Sequence, residues 1–359
     1  MSLSTTRNTR IALSLAIVAV FGSASFAAAA QAYTPQEFVR ACESSIGNTV
    51  YLSQSLKLQG GFTSETYVSA SGCTIVLSPD AAFELDQITL NFGGPLAVRG
   101  SKKGAVKLEK AMINAASVAL NLTGEEGELY LNQSRIFAGA GNLTVQFGQK
   151  GKLNMVESGG WTRGGLSTLG ALRIGSGAYF QGSLSNSGME GGTGIFLAAN
   201  GTESSWKIEK STLNVSNFNY STVDDSAMTY GPLSITSSAP KVNVEISESN
   251  IRFASQAVTM HLAGAESTLL LKQATSQTGS QAIYLGAPGD KGIVLVEKSF
   301  FIGNPSVVVV SGNNGATGVI GSPGSLSAQN SIRVTSGVGG SCIVTPQNSL
   351  LAPQVSACR

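Results

Sequence analysis

LEKAMI at Leu108–Ile113, IEKSTL at Ile208–Leu213 and VEKSFF at Val296–Phe301 share one grammar, although 188 positions separate the first start from the last. Written as apolar, any, apolar, any, any, small, the phrase recurs along most of the chain. FELDQI starts at Phe83, VKLEKA at Val106, LYLNQS at Leu129, LNMVES at Leu153 and LRIGSG at Leu172. WKIEKS follows at Trp206, VEISES at Val244, LLLKQA at Leu269, VLVEKS at Val294 and LSAQNS at Leu326. The intervals between starts are 23, 23, 24, 19, 34, 38, 25, 25 and 32 residues.

A near-constant unit with occasional insertions is the signature of a solenoid. Apolar residues at alternate positions require a strand with one face buried, and the small residue that closes the phrase suits a tight interior bend. Helical spacing fits none of the copies. The strings SQAVTMHL, SQAIYLGA and PSVVVVSG place Val258, Ile283 and Val308 at steps of 25, so each unit holds two or three short strands joined by Gly, Ser and Asn turns. IYLGAPGDKG is read as one such turn between strands. A single unit cannot enclose its own apolar face, whereas stacked units can, each strand pairing with its counterpart one coil away at about 4.8 Å. Ten coils make a rod on the order of 50 Å long. The phrase recurs because one strand recurs in every coil.

From roughly Cys73 to Val344 the chain resembles the right-handed parallel β-helix proteins of bacteria, the architecture of pectate-lyase-like enzymes and pertactin-like autotransporter passengers. The resemblance implies an all-β, single-stranded, right-handed parallel β-helix of about ten coils, and the handedness comes from the resemblance alone. The expected organisation is a signal peptide over 1–32, an N-terminal cap over 33–75, the β-helix over 76–341 and a C-terminal cap over 342–359.

The start of the chain is basic (MSLSTTRNTR), continues through the apolar run Ile11 to Phe21, and reaches AAAAQA, a signal-peptide pattern with cleavage near Ala32. That run is too short to span a bilayer, and no later segment reaches the length a transmembrane helix requires. The expected product is periplasmic or secreted, without integral membrane insertion. The whole chain has 23 Lys plus Arg against 21 Asp plus Glu, and removing Arg7 and Arg10 with the leader leaves equal numbers. A neutral product has no electrostatic footprint for nucleic acid.

A solenoid needs its ends covered. YTPQEFVRACESS provides a short helix, with Thr34 as N-cap, Pro35 at the first helical position, Glu37 closing a capping box, and Phe38, Val39 and Cys42 as its apolar face. Four cysteines survive export, one pair near each end. The natural pairing is Cys42 with Cys73 and Cys342 with Cys358, and the other two connectivities stay open at this level.

The chemistry-bearing residues are few. His261 is the only histidine and reads as an outward strand residue, so neither a metal cluster nor a histidine-based triad is expected, and no cofactor is implied. The intervals of 34 and 38 place two insertions in the coils headed by Leu172 and Trp206, and loops on a rigid scaffold usually carry function. The second insertion, NVSNFNYSTVDDSAMTYGP, offers Asn217, Tyr220 and Tyr230 for stacking on sugars and binding hydroxyls, beside the carboxylates Asp224 and Asp225. Trp161, in ESGGWTRGG, is either an exposed binding anchor or a tucked cap over a coil bend. The six N-x-S/T sequons read as chance products of a Ser-, Thr- and Asn-rich composition.

Two classes of function follow. The first is a non-catalytic, adhesin-like rod that binds a polysaccharide or a cell-surface protein through its loops. The second is a polysaccharide hydrolase or lyase using Asp224 and Asp225. Adjacent aspartates resemble the pectin-hydrolysing relatives, but the Asn-Thr-Asp, Gly-His-Gly and Arg-Ile-Lys motifs of those enzymes are missing, and Arg163, Arg173 and Arg252 lie in no context that matches the lyases. Neighbouring residues on one strand also point to opposite faces, whereas a glycosidase needs carboxyls about 5 to 9.5 Å apart across a sugar.

Overall fold

The computed structural model describes residues 33–61, 65–162, 171–215, 233–253, 257–277, 282–321, 325–345 and 349–358. Among these, short parallel strands wind into a solenoid with three sheets of 13, 12 and 12 strands. Every coil adds one strand to each sheet in fixed order, so there are two more coils than the ten copies of the phrase. Residues 1–32 lie outside the described residues, and among those described no helix is long and apolar enough to cross a membrane.

Most copies of the phrase lie on the second sheet, in register. Leu108 pairs with Leu131, Leu131 with Met155, Ile208 with Ile246 and Leu271 with Val296. Each is 3% exposed or less. Alternate residues therefore build continuous internal stacks that no coil could bury by itself.

Two copies sit elsewhere. LRIGSG occupies the strand Leu172–Ser176 of the first sheet, and the second-sheet strand of that coil is Gln181–Ser185, with Gly182 in the leading apolar position. LSAQNS lies on the third sheet in Leu326–Ala328, while Ala316–Ile320 continues the second. The first insertion consequently falls in the coil headed by Leu153, over residues 163–170, and not in the one headed by Leu172. The step from Ile283 likewise leads to Val307 rather than Val308, because the valine run supports either register. Val307 is fully buried and Val308 faces outward.

The last two positions of the phrase make the corner. Lys110, Gln133, Glu157, Asn186, Lys210, Glu248, Gln273 and Lys298 adopt φ between 46° and 49°, a left-handed turn that carries the chain from the second sheet into the third in one residue. The small residue that follows is most often a buried serine with both hydrogen-bonding functions used. Ser187 N donates to Ser211 Oγ at 3.1 Å, and Ser211 N donates to Ser249 Oγ at 3.1 Å. Ser211 Oγ donates in turn to the Glu209 carbonyl at 2.7 Å. Equivalent bonds involve Ser134, Ser158 and Ser299, so a serine column runs inside the corner. Ser211→Ala leaves the buried Ser187 amide without that partner and is expected to cost about 1–3 kcal/mol, whereas the surface change Ser183→Ala stays within about 0.5 kcal/mol. Comparing urea midpoints of the two variants checks this, and equal midpoints would refute a structural role for the column.

The helix Pro35–Ser44 starts as its capping box requires. Glu37 N donates to Thr34 Oγ1 at 3.2 Å, and Thr34 N donates to Glu37 Oε2 at 2.8 Å. These bonds hold the Glu37 carboxyl below its ordinary value, the backbone bond first. Phe38, Val39 and Cys42 are buried, with the Phe38 ring 5.3 Å from Phe83. Cys42 is bonded to Cys73, and Cys342 to Cys358. Strand pairing begins at Thr49–Leu52, inside the expected N-terminal cap, and runs to Gln354–Ala357. The strands Ser341–Thr345, Leu350–Leu351 and Gln354–Ala357 extend the coils into the expected C-terminal cap, and the second disulfide links the first of them to the region of the last.

Candidate functional site

Trp161 is the penultimate residue of the third-sheet strand Gly159–Thr162 of its coil. Its half-buried ring lies flat on the outer face, folded back over Gly159, where an added Cβ would come 2.0 Å from Cη2. The guanidinium of Arg135, one coil earlier, lies 5.5 Å from the ring centroid, within cation–π range. Phe137 and Glu190 are the register neighbours of Trp161. Thr162 Oγ1 accepts from Gly192 N at 3.0 Å and closes the corner from inside.

Across that corner, on the first sheet, Arg173 lies 4.4 Å from the Phe196 ring centroid. Residues 163–170 connect Thr162 to Ala171, and residues 216–232 connect Val215 to Leu233, so both insertions join the third sheet to the first. Leu172–Ser176 and Leu233–Ser237 are separated by the single strand Ile195–Ala199. The two insertions therefore return to the rod about 10 Å apart, flanked by an aromatic–arginine pair on each side. Asn217, Tyr220, Asp224, Asp225 and Tyr230 lie outside the described residues. His261 does face outward, its ring tilted against that of Tyr284 with centroids 5.4 Å apart, several coils along the rod from Trp161.

No family model, curated protein or solved structure matches this chain. The surface must be read from its own residues.

The corner between the first and second sheets carries a second left-handed series, three positions before each second-sheet phrase. Asp80, Lys103, Glu126, Lys150, Tyr179, Glu203, Lys241, Glu266, Lys291 and Asn314 have φ between 52° and 62°. Apart from Tyr179 and the terminal Asn314, the signs alternate along each side of the break, and neighbours pair across coils. Lys103 lies 3.8 Å from Asp80, Lys241 3.3 Å from Glu203, and Lys291 3.4 Å from Glu266. Each exposed pair is worth at most about 1 kcal/mol, and together they keep the edge electrically balanced. Lys150 is bound to Glu125 at 2.6 Å, which raises its pKa, while the same bond lowers that of Glu125.

Where the alternation breaks, an open groove of about 600 Å³ is lined by Lys103, Glu126, Glu128, Lys150, Lys152, Tyr179 and Gln181. It continues over Asn154, Ser183 and Ser205 toward Lys207. This groove was not anticipated from the sequence. The signal for it in the sequence is the charge alternation itself, which LRIGSG obscures because this copy of the phrase lies on the first sheet.

Proposed function

We propose that this protein is an exported, non-catalytic rod of the pectate-lyase-like or pertactin-like right-handed kind, which binds a polysaccharide or a cell-surface partner along its side. The observation that carries this reading is the corner where both insertions emerge between Trp161–Arg135 and Phe196–Arg173. Aromatic faces suit sugar rings, and guanidinium groups and amides suit hydroxyls and carboxylates. Asn217, Tyr220 and Tyr230 of the second insertion would add to this surface.

The test is a glycan array run beside reducing-sugar and unsaturated-product assays on one polysaccharide panel. Wild type should bind weakly and multivalently without turnover. Trp161→Ala and the Tyr220→Ala/Tyr230→Ala pair should each weaken binding, with each ring contributing on the order of 1 kcal/mol. Turnover that disappears in Asp224→Asn/Asp225→Asn would replace the binding role by polysaccharide hydrolysis or lysis. A protein partner would be indicated by binding to cells but to no glycan.

A further inference from the structure

We infer that the groove around Tyr179 is a second saccharide site, selective for neutral, hydroxyl-rich glycan segments. The inference rests on the glycan-binding reading above but concerns a different corner of the rod.

Three observations converge. The first is conformational. Tyr179 holds a left-handed backbone at φ 59°, at a corner where the neighbouring coils place Lys150 and Glu203. A bulky side chain there is strained, and Tyr179 is the one aromatic among the ten left-handed residues of this corner. The second is exposure. Tyr179 is 47% exposed, although its coil buries the large rings of Phe180 and, in the next coil, Trp206. Among the described residues its hydroxyl makes no hydrogen bond.

The third observation is charge. Lys103 and Lys150 are neutralised by Asp80 and Glu125. Lys152 and its register neighbour Glu128 line the groove with no ion pair among the described residues, and Gln181 continues the same row. One free cation beside one free anion has no net attraction for a polyanion, but it supplies ammonium donors and carboxylate acceptors for hydroxyls. An exposed aromatic face above such a row fits a sugar ring, and the groove volume lies within the ~300–1,000 Å³ of ordinary ligand sites.

The strain makes the test specific. Tyr179→Gly removes the ring and relieves the left-handed backbone, so the variant should fold at least as stably as wild type while losing its ligand. Isothermal titration is run with cellohexaose, mannohexaose and chitohexaose, with hexagalacturonate as the acidic comparison. Wild type should bind at least one neutral hexasaccharide more tightly than hexagalacturonate. Tyr179→Gly should weaken that binding about fivefold or more without lowering Tm, and Tyr179→Phe should retain it. Unchanged neutral binding in Tyr179→Gly, with binding lost in Trp161→Ala, would overturn the second site and leave the proposed function standing. Preference for hexagalacturonate would overturn the neutral assignment, and no binding to any of the four would overturn the second site, while the proposed function is decided separately by the glycan array and cell binding.

Discussion

Trp206→Ala is expected to lower the stability of the rod by about 3–5 kcal/mol, the range for emptying a large buried aromatic site. Trp206 is 1% exposed, its ring centroid lies 5.0 Å from that of Phe180, and Phe180 in turn lies 5.1 Å from Phe147. These rings fill adjacent levels of the interior, and closing the cavity would require several coils to shift together. The same cluster explains why the phrase fails at Gly182, the register partner of Trp206. A Cβ at Gly182 would meet Trp206 Cε3 at 2.6 Å and Phe180 Cε1 at 2.8 Å. Gly182→Leu restores the sequence pattern yet should destabilise, because overpacking forces rings and backbone apart. Denaturant unfolding of both variants provides the measurement. A Gly182→Leu protein more stable than wild type would show that the glycine is not there to make room for the rings.

The second large effect concerns the N-terminal helix. Replacing Cys42 and Cys73 together by serine should cost about 2–4 kcal/mol, since the bond closes a separation of 31 residues. The helix is also held by Phe38 against Phe83 and by Glu43, whose carboxylate accepts from Ala70 N at 2.8 Å. Loosening it exposes strand edges that template association with other chains. The variant should therefore show both a lower urea midpoint and stronger light scattering at equal concentration. An unchanged midpoint would mean that packing and the Glu43 bond suffice to hold the helix.

The recurring phrase, the capping helix and the cysteine pairs were legible because each is a local rule. Alternation of Leu129 and Leu131, or of Val244 and Ile246, states that a strand has one buried face. Thr34, Pro35 and Glu37 state where a helix begins. Cysteines with close Cα atoms, 5.2 Å in both bonds, followed from their grouping at the two ends.

The binding surface was far less legible. Trp161 was noticed as an isolated aromatic, but its partner Arg135 lies 26 positions away and is brought near only by one turn of the solenoid. Tyr179 was missed because its meaning depends on Lys150 in the coil before and Glu203 in the coil after.

The sequence by itself determined that stacked parallel strands would form, and roughly how often, because period-two alternation and a recurring unit have one economical solution. It could not choose the register at Leu172 or within the valines 307–310, since one strand's alternation looks the same whichever sheet it joins. It also gave no sign that Lys110, Lys210 and Lys298 turn left-handed, since lysine has no intrinsic preference for that conformation. Those choices were decided by tertiary structure. Each coil is held in place by the carbonyls, amides and side chains of its two neighbours, and contacts between residues more than twenty positions apart set the register, the corners and the groove.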